Sequence, residues 1–356
     1  MLERFEWKKF SEVSLDDPFF DSLKDDYTEF VDWFKRKCDA KETALVNYDF
    51  EGIVAFIYLK NENESIELTD KTLPKKQRLK IGTLKLSERI RSQRLGEGAL
   101  GVALWYWQKT KCEEIYLTVF DKHEKLISIL DKFGFEKIGK NSRGESIYLK
   151  SRENIDFSTP YKSFPFISSV FECAGVIPIE EEFHDKLFPY SELYGNDRNV
   201  EEITAGNGVT KVYIATPMKK TAYKEGMPVF IYRKYNGPGQ KTFNSVITSL
   251  CTISKITVIK SNYVENCSFE EFVAIAGNKT VYPEETLREI YNSKSTIIAI
   301  ELVYNAFFGK GHNVTHAKLT SNGLFDGHPY QIVYNRKEFD KVLELGGKDV
   351  QDIIIN

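Results

Sequence analysis

Residues 91–101, RSQRLGEGALG, place two glycines two apart behind a glutamine and among basic side chains. That combination suits an anion. Glycine lets a phosphate oxygen approach the backbone closely, and glutamine and arginine add donors. The first amides of a helix are unpaired and carry a partial positive charge. Whether the stretch begins a helix is decided by its neighbours. LKIGTLKLS before it reads as a strand, and from Leu95 onward Leu100, Ala103, Leu104 and Trp107 recur at helical spacing. The glycines are therefore expected in the first turn of a helix that follows a strand. Between Lys71 and Arg94, nine lysines and arginines stand against a single acid, Glu88, enough positive charge for further phosphates.

The elements that must hold this loop follow from period. After a short opening strand, DDPFFDSLKDDYTEFVDWFKRKC sets Phe20, Leu23, Tyr27, Phe30, Val31 and Phe34 on one helical face. ETALVNYDFEGIVAFIYLK reads as two strands around a turn at 48–52. Beyond the loop and its helix come a strand at 115–120, a helix from about His123, then FGFEKIGK and a last strand in ESIYLK.

That order, with Gln93-Arg94-Leu95-Gly96-Glu97-Gly98 as Q/R-x-x-G-x-G/A and ILDKFGFEKIG carrying the Gly134-Phe135 pair, resembles the GNAT superfamily of N-acetyltransferases over about residues 1–150. The resemblance implies an acetyl-CoA site: Leu86 beside the pantetheine, Arg91 and Gln93, Arg94, Leu95, Gly96, Glu97, Gly98 and Ala99 around the pyrophosphate, and Phe120 at the thioester. It implies direct attack by an amine, without metal or covalent enzyme intermediate, helped by a base and by a donor for the leaving thiolate. Many members place a tyrosine four residues before the glycine of the Gly-Phe pair. Here that residue is Leu130, and a hydrocarbon donates nothing. His123 falls where the family often has asparagine, and is expected to touch cofactor or titrate near neutrality. Glu88, just past the central strand, and Glu145, on the last strand, are the candidate bases beside it. Tyr116 and Tyr148 are further possible donors, with packing as the alternative role.

After ESIYLK, two prolines (Pro160, Pro165) and polar residues interrupt the pattern, and none of the four tryptophans lies beyond Trp107. We therefore expect a first domain over 1–152, a linker or docking segment over 153–206 and a second domain over 207–356. Within the linker, His184 lies among Glu180, Glu181, Glu182 and Asp185, but without metal-ligand spacing, so a charged loop is expected and no metal site. From Val209, VTKVYIATP, MPVFIYRKY, KTFNSVITSLCTISKITVI and STIIAIELVYNAFF are strand-like, with helices at SFEEFVAIAG, PEETLREIYN and RKEFDKVLELGG. GMPVFIYR, the paired strands of SVITSLCTISKI and the closing helix resemble the PUA-like group that includes ASCH and EVE domains. That resemblance implies a small mixed β-barrel and binding of RNA or a modified nucleobase. Tyr213, Thr216, Tyr232, Arg233, Lys234 and Asn244 are the cleft candidates, since aromatic and guanidinium planes stack bases and amides read their edges. FFGKGHNVTH, with Lys310, His312 and His316, is a basic loop flanked by glycines.

The fold class is thus α/β (α+β): a GNAT-like mixed sheet with flanking helices, then a PUA-like barrel. At 356 residues, 42% hydrophobic and 28% charged, the chain has length for two ordinary cores. A net charge of −3 excludes a protein that coats nucleic acid by bulk electrostatics but leaves room for a local patch. Five scattered cysteines without a C-x-x-C argue for reduced thiols, and no secretory or membrane-spanning run is evident, so a cytoplasmic protein is expected. The activity these features point to is acetyl-CoA-dependent N-acetylation, with the second domain recruiting an RNA-linked or nucleobase-containing acceptor. The alternatives are a protein or small-amine acceptor with the second domain as scaffold, and a catalytically silent binder of acetyl-CoA and nucleic acid.

Overall fold

Residues 53–59, IVAFIYL, are buried at every position, as in a strand covered on both faces. They belong to a seven-stranded sheet made of β1 (Glu6–Lys9), β2 (Thr43–Asp49), β3 (Gly52–Glu67), β4 (Thr72–Leu86), β5 (Glu114–Val119), β6 (Glu136–Lys140) and β7 (Ser146–Ser151). The order is β1-β2-β3-β4-β5-β7-β6, and only β4 and β5 run parallel. The computed structural model describes residues 5–90, 93–191, 204–218 and 221–356, in two compact units, Met1–Ile155 and Asp156–Asn356.

In the first unit, α1 (Asp21–Asp26) and α2 (Phe30–Asp39) close one face with Phe20, Phe30 and Phe34, which meet Phe56 and Phe10 in an aromatic cluster. Ala55, alternating to the other side, packs with Leu95 of α3 (Leu95–Lys109). α4 (Glu124–Lys132) follows β5. The single helical face expected over 16–38 is broken: Tyr27 is extended (φ −133°, ψ 102°) and separates α1 from α2. The hairpin of β3 and β4 is also longer than the sequence suggests. Its outer half is polar and carries Pro74, but Ile66 and Leu68 still bury against Tyr116 and Ile147, and the Thr69 amide donates to the Lys140 carbonyl at 2.9 Å.

The second unit is built on a sheet ordered β10-β14-β12-β11-β9-β16. β8 (Ile167–Ser168) lies outside it. Its members are β9 (Ala174–Glu180), β10 (Thr210–Ala215), β11 (Pro228–Lys234), β12 (Val246–Ser261), β13 (Val264–Glu265), β14 (Ile297–Phe307), β15 (Val314–Thr315) and β16 (Val333–Tyr334), with β13 and β15 paired on β12. Three expectations are corrected. β9, inside the supposed linker, is an integral strand parallel to β11, because AGVIPI is buried throughout. KTFNSVITSLCTISKITVI contributes one long strand, β12, rather than a pair. Among the described residues the sheet does not close into a barrel. β10 and β9 are joined by the Tyr213 hydroxyl, which donates to the Pro178 carbonyl at 3.2 Å, with no ladder between them.

His184 is likewise no charged-loop residue. It is fully buried in helix Glu181–Leu187, with Nδ1 2.8 Å from Asp185 and Nε2 2.7 Å from the Thr248 hydroxyl. Burial holds its imidazole below the usual range, so the neutral ring donates from Nδ1 and accepts at Nε2.

Candidate functional site

β4 and β5 are paired only over Arg78↔Glu114 to Ile81↔Leu117. β4 then runs five residues further, to Leu86, and β5 two, to Val119, each held on its outer side by β3 or β7. The parallel pair therefore opens at its C-terminal end, and among the described residues the inner edge of β4 from Gly82 has no strand partner. The cause lies in β4 itself. Leu59 pairs with Ile81 and Tyr58 with Thr83, so Gly82 is an extra residue, a bulge that bends the strand away. A Cβ there would lie 2.8 Å from the Tyr58 ring, which only glycine avoids. No motif marks Gly82 in the sequence.

The helix after the opening is α3. Its first intrahelical bond is from the Gly98 amide to the Arg94 carbonyl at 3.0 Å, so the amides of Leu95, Gly96 and Glu97 emerge at its start. Arg94 takes the left-handed conformation (φ 59°) that turns the chain into the helix. Gly96 is wedged between Leu86 and α4: a Cβ would stand 3.5 Å from the Leu86 side chain and 3.2 Å from that of Ile129. Leu86 and the glycine loop, named separately from sequence, are thus neighbours. Glu97, in the first turn of α3, pairs with Arg94 at 3.1 Å, with Lys132 at 3.9 Å. Gln93 and Ala99 flank this turn, and Arg91 lies outside the described residues. A strand edge without a strand partner among the described residues, a helix start whose N-cap makes no side-chain cap hydrogen bond and a nearby apolar wall fit the amides, pyrophosphate and alkyl portions of a CoA ester.

On the α1 face of the opening stands a group that sequence reasoning assembled only in part. Glu145 is 6% exposed; its carboxylate accepts from the Tyr27 hydroxyl at 3.2 Å and from Asn141 Nδ2 at 2.8 Å. The Tyr27 ring stacks on Phe120, centroids 6.4 Å apart, just beyond β5. Burial, with the adjacent Glu145 charge, pushes the Tyr27 phenol up to about 12, so it remains a donor near neutrality. Tyr27 was visible in the sequence only as an apolar-face residue of a helix. The break between α1 and α2 is what brings it here.

The other proposed catalytic residues are placed differently. Glu88 is exposed in the short helix Glu88–Ile90, and His123 is exposed at the start of α4. Leu130 is completely buried. Tyr116 is bound by Glu62 beneath the long hairpin, where burial and that carboxylate raise its phenol well above the usual range, and Tyr148 is a core residue.

In the second unit, Tyr232 and Lys234 line a cleft of about 240 Å³ with Tyr235, Asn236, Lys241 and His316. The Tyr232 hydroxyl meets His316 Nδ1 at 3.2 Å. Arg233 is not part of this cleft. Alternation along β11 turns it inward, where Asp185 holds it at 2.8 Å and Glu181 at 3.2 Å. Asn244 is spent on the Gln240 carbonyl at 3.0 Å, and Thr216 is exposed elsewhere. The basic character expected of Arg233 is carried instead by Lys241, which among the described residues has no ion-pair partner.

No protein-family model matches the chain, and no curated protein matches it in sequence. Solved structures do. Naa50 of Arabidopsis thaliana, in complex with a CoA bisubstrate analogue, is 21% identical, with 42% of this chain and 99% of that one covered and a TM-score of 0.29. The PaiA N-acetyltransferase of Thermoplasma acidophilum, in complex with coenzyme A, is 14% identical over 42% and 99%, TM-score 0.29. A mutant of the ASCH protein of Zymomonas mobilis is 11% identical over 48% and 94%, TM-score 0.32. Among the described residues no helix is long and apolar enough to cross a membrane.

Proposed function

We propose that the first unit is an acetyl-CoA-dependent N-acetyltransferase. The observation that carries this reading is the opening of β4 from β5 at Gly82, directed at the start of α3. The free edge of β4 through Leu86 pairs with the pantetheine amides, and the turn from Gln93 to Ala99 holds the pyrophosphate. Phe120 borders the thioester. When bound, acetyl-CoA supplies an activated acyl group; the protein positions it and removes a proton from the acceptor amine. Glu145 is the base, held in place by Asn141 and Tyr27, while Glu88 and His123 lie at the solvent rim. With Leu130 in the core, the donor to the leaving thiolate is Tyr27 or solvent.

The second unit, on this reading, recruits an RNA-linked or nucleobase-containing acceptor through the Tyr232 and Lys234 cleft, whose aromatic walls suit a single base. A scaffold role with a protein or small-amine acceptor is favoured by one observation, the withdrawal of Arg233 into an internal ion pair. The test of cofactor binding is CoA-dependent thermal stabilisation of the whole chain, expected to reach about 2.7 kcal/mol at a hundredfold excess over Kd and to vanish in Gly96→Glu. A wild-type chain unmoved by CoA would end the proposal.

A further inference from the structure

We propose that Lys85 is a self-acetylation site, its amine taking the acetyl group from acetyl-CoA held in the opening between β4 and β5. The inference rests on the acetyl-CoA reading of that opening. Lys85 lies on the segment of β4 beyond the Gly82 bulge, next to Leu86, whose side chain points the other way, toward Gly96. Lys85 itself faces α1. Its ammonium sits 5.3 Å from the centre of the Phe19 ring and donates to the Ser22 hydroxyl.

α1 spans the opening on this side. It meets β4 at Lys85 through Ser22; at its other end Asp26 pairs with Lys122 at 3.3 Å and Tyr27, just past the helix, stacks on Phe120, both partners lying just beyond β5. Lys85 is therefore half-buried beside the opening, on the side that α1 covers. Lys122, at the other end of α1, is engaged by Asp26. Among the described residues Lys85 has no ion-pair partner. Asp26, Asp21 and Asp25 of α1 are the charges that face it, and they act from a distance. Burial outweighs their attraction and lowers the pKa of the amine, which enlarges its neutral, nucleophilic fraction.

The neutral nitrogen attacks the thioester carbonyl carbon. A carbon–nitrogen bond forms, the carbon–sulfur bond breaks, and its electron pair leaves on sulfur. The proton shed by nitrogen neutralises the thiolate, directly or through solvent, so acetyl-CoA and lysine become CoA thiol and acetyl-lysine without any further reactant. The product removes a positive charge facing Asp21, Asp25 and Asp26 and so alters the charge an acceptor meets.

The experiment is incubation of the full-length protein with acetyl-CoA, followed by peptide mass spectrometry, with binding of CoA measured on the same preparation by calorimetry. The expected result is one dominant acetyl group on Lys85, formed about tenfold faster than on Lys122 and faster as pH rises. It should be absent in Lys85→Arg and slowed by excess CoA, a competitor that needs no mutation. CoA binding with Lys85 unmodified, or labelled no faster than Lys122, would overturn this inference and leave the acetyl-CoA reading standing. Failure of CoA to bind would remove both.

Discussion

Gly82 lies against the ring of Tyr58 so closely that a methyl group in place of its hydrogen would come within 2.8 Å of a ring carbon. That contact fixes the bulge, and the bulge fixes where β4 leaves β5. Gly82→Ala must displace Tyr58, whose hydroxyl accepts from Lys37 at 2.7 Å, or straighten the strand. The expected cost is about 1–3 kcal/mol by thermal unfolding, with weaker CoA binding by calorimetry. A variant as stable as wild type that binds CoA equally well would show that the bulge does not make the cleft.

Glu145→Gln keeps the shape of the site but removes the base. Turnover is expected to fall by about 10²–10⁴ while CoA affinity is kept. Tyr27→Phe should lower kcat less than Glu145→Gln, because Asn141 still holds the carboxylate. Its pH signature is separate. The folded phenol titrates near 12 and the unfolded one near 10, so the stability it contributes is complete below about pH 10 and is lost as pH rises toward 12. Tyr27→Phe should flatten the loss of stability over that window in alkaline melts; an unchanged profile would place the phenol outside the hydrogen bond with Glu145.

How much of this was legible beforehand depended on whether one element or two decided the point. The glycine loop and its helix were readable because strand, loop and helix are contiguous, and Leu86 could be named beside them. Gly82 was not, since a bulge is a relation between strands and nothing in KIGTLK announces it. Tyr27 was misplaced because its spacing continues the helical face, whereas the chain breaks there to reach Glu145. β9 reads as linker in the sequence because two prolines precede it and a further one, Pro178, lies inside it, yet its side chains fill the core beside β11. Arg233 failed for the simplest reason: two consecutive strand residues cannot face the same cleft, and Tyr232 already did.

In the second unit, Arg233 and Lys241 should separate stability from binding. Arg233→Ala removes the buried guanidinium that pairs with the half-buried Asp185 beside His184, at a cost of about 2–4 kcal/mol. Although burial raises the Asp185 carboxyl, its hydrogen bonds from His184 and Arg233 prevail and hold it well below the usual range. The stability it contributes is therefore present above pH 4 and lost on acidification, and Arg233→Ala should move acid unfolding upward in pH. Lys241→Ala, exposed and unpaired, should leave unfolding unchanged, weaken binding of single-stranded RNA and reduce the slope of log affinity against log salt by about one. Filter binding across a salt series reads this directly. Wild-type protein with no salt-dependent RNA affinity would favour the scaffold role.

The central claim is that the opening between β4 and β5 serves acetyl transfer. The most direct measurement is release of CoA thiol from acetyl-CoA by the full-length protein, offered total RNA, peptides and small amines in turn, with mass spectrometry of each acceptor. The account predicts thiol release matched by an acetylated amine in one acceptor class, abolished in Gly96→Glu and strongly reduced in Glu145→Gln. Thiol release that Gly96→Glu leaves untouched, or no acetylated acceptor from a protein that binds CoA, would contradict it.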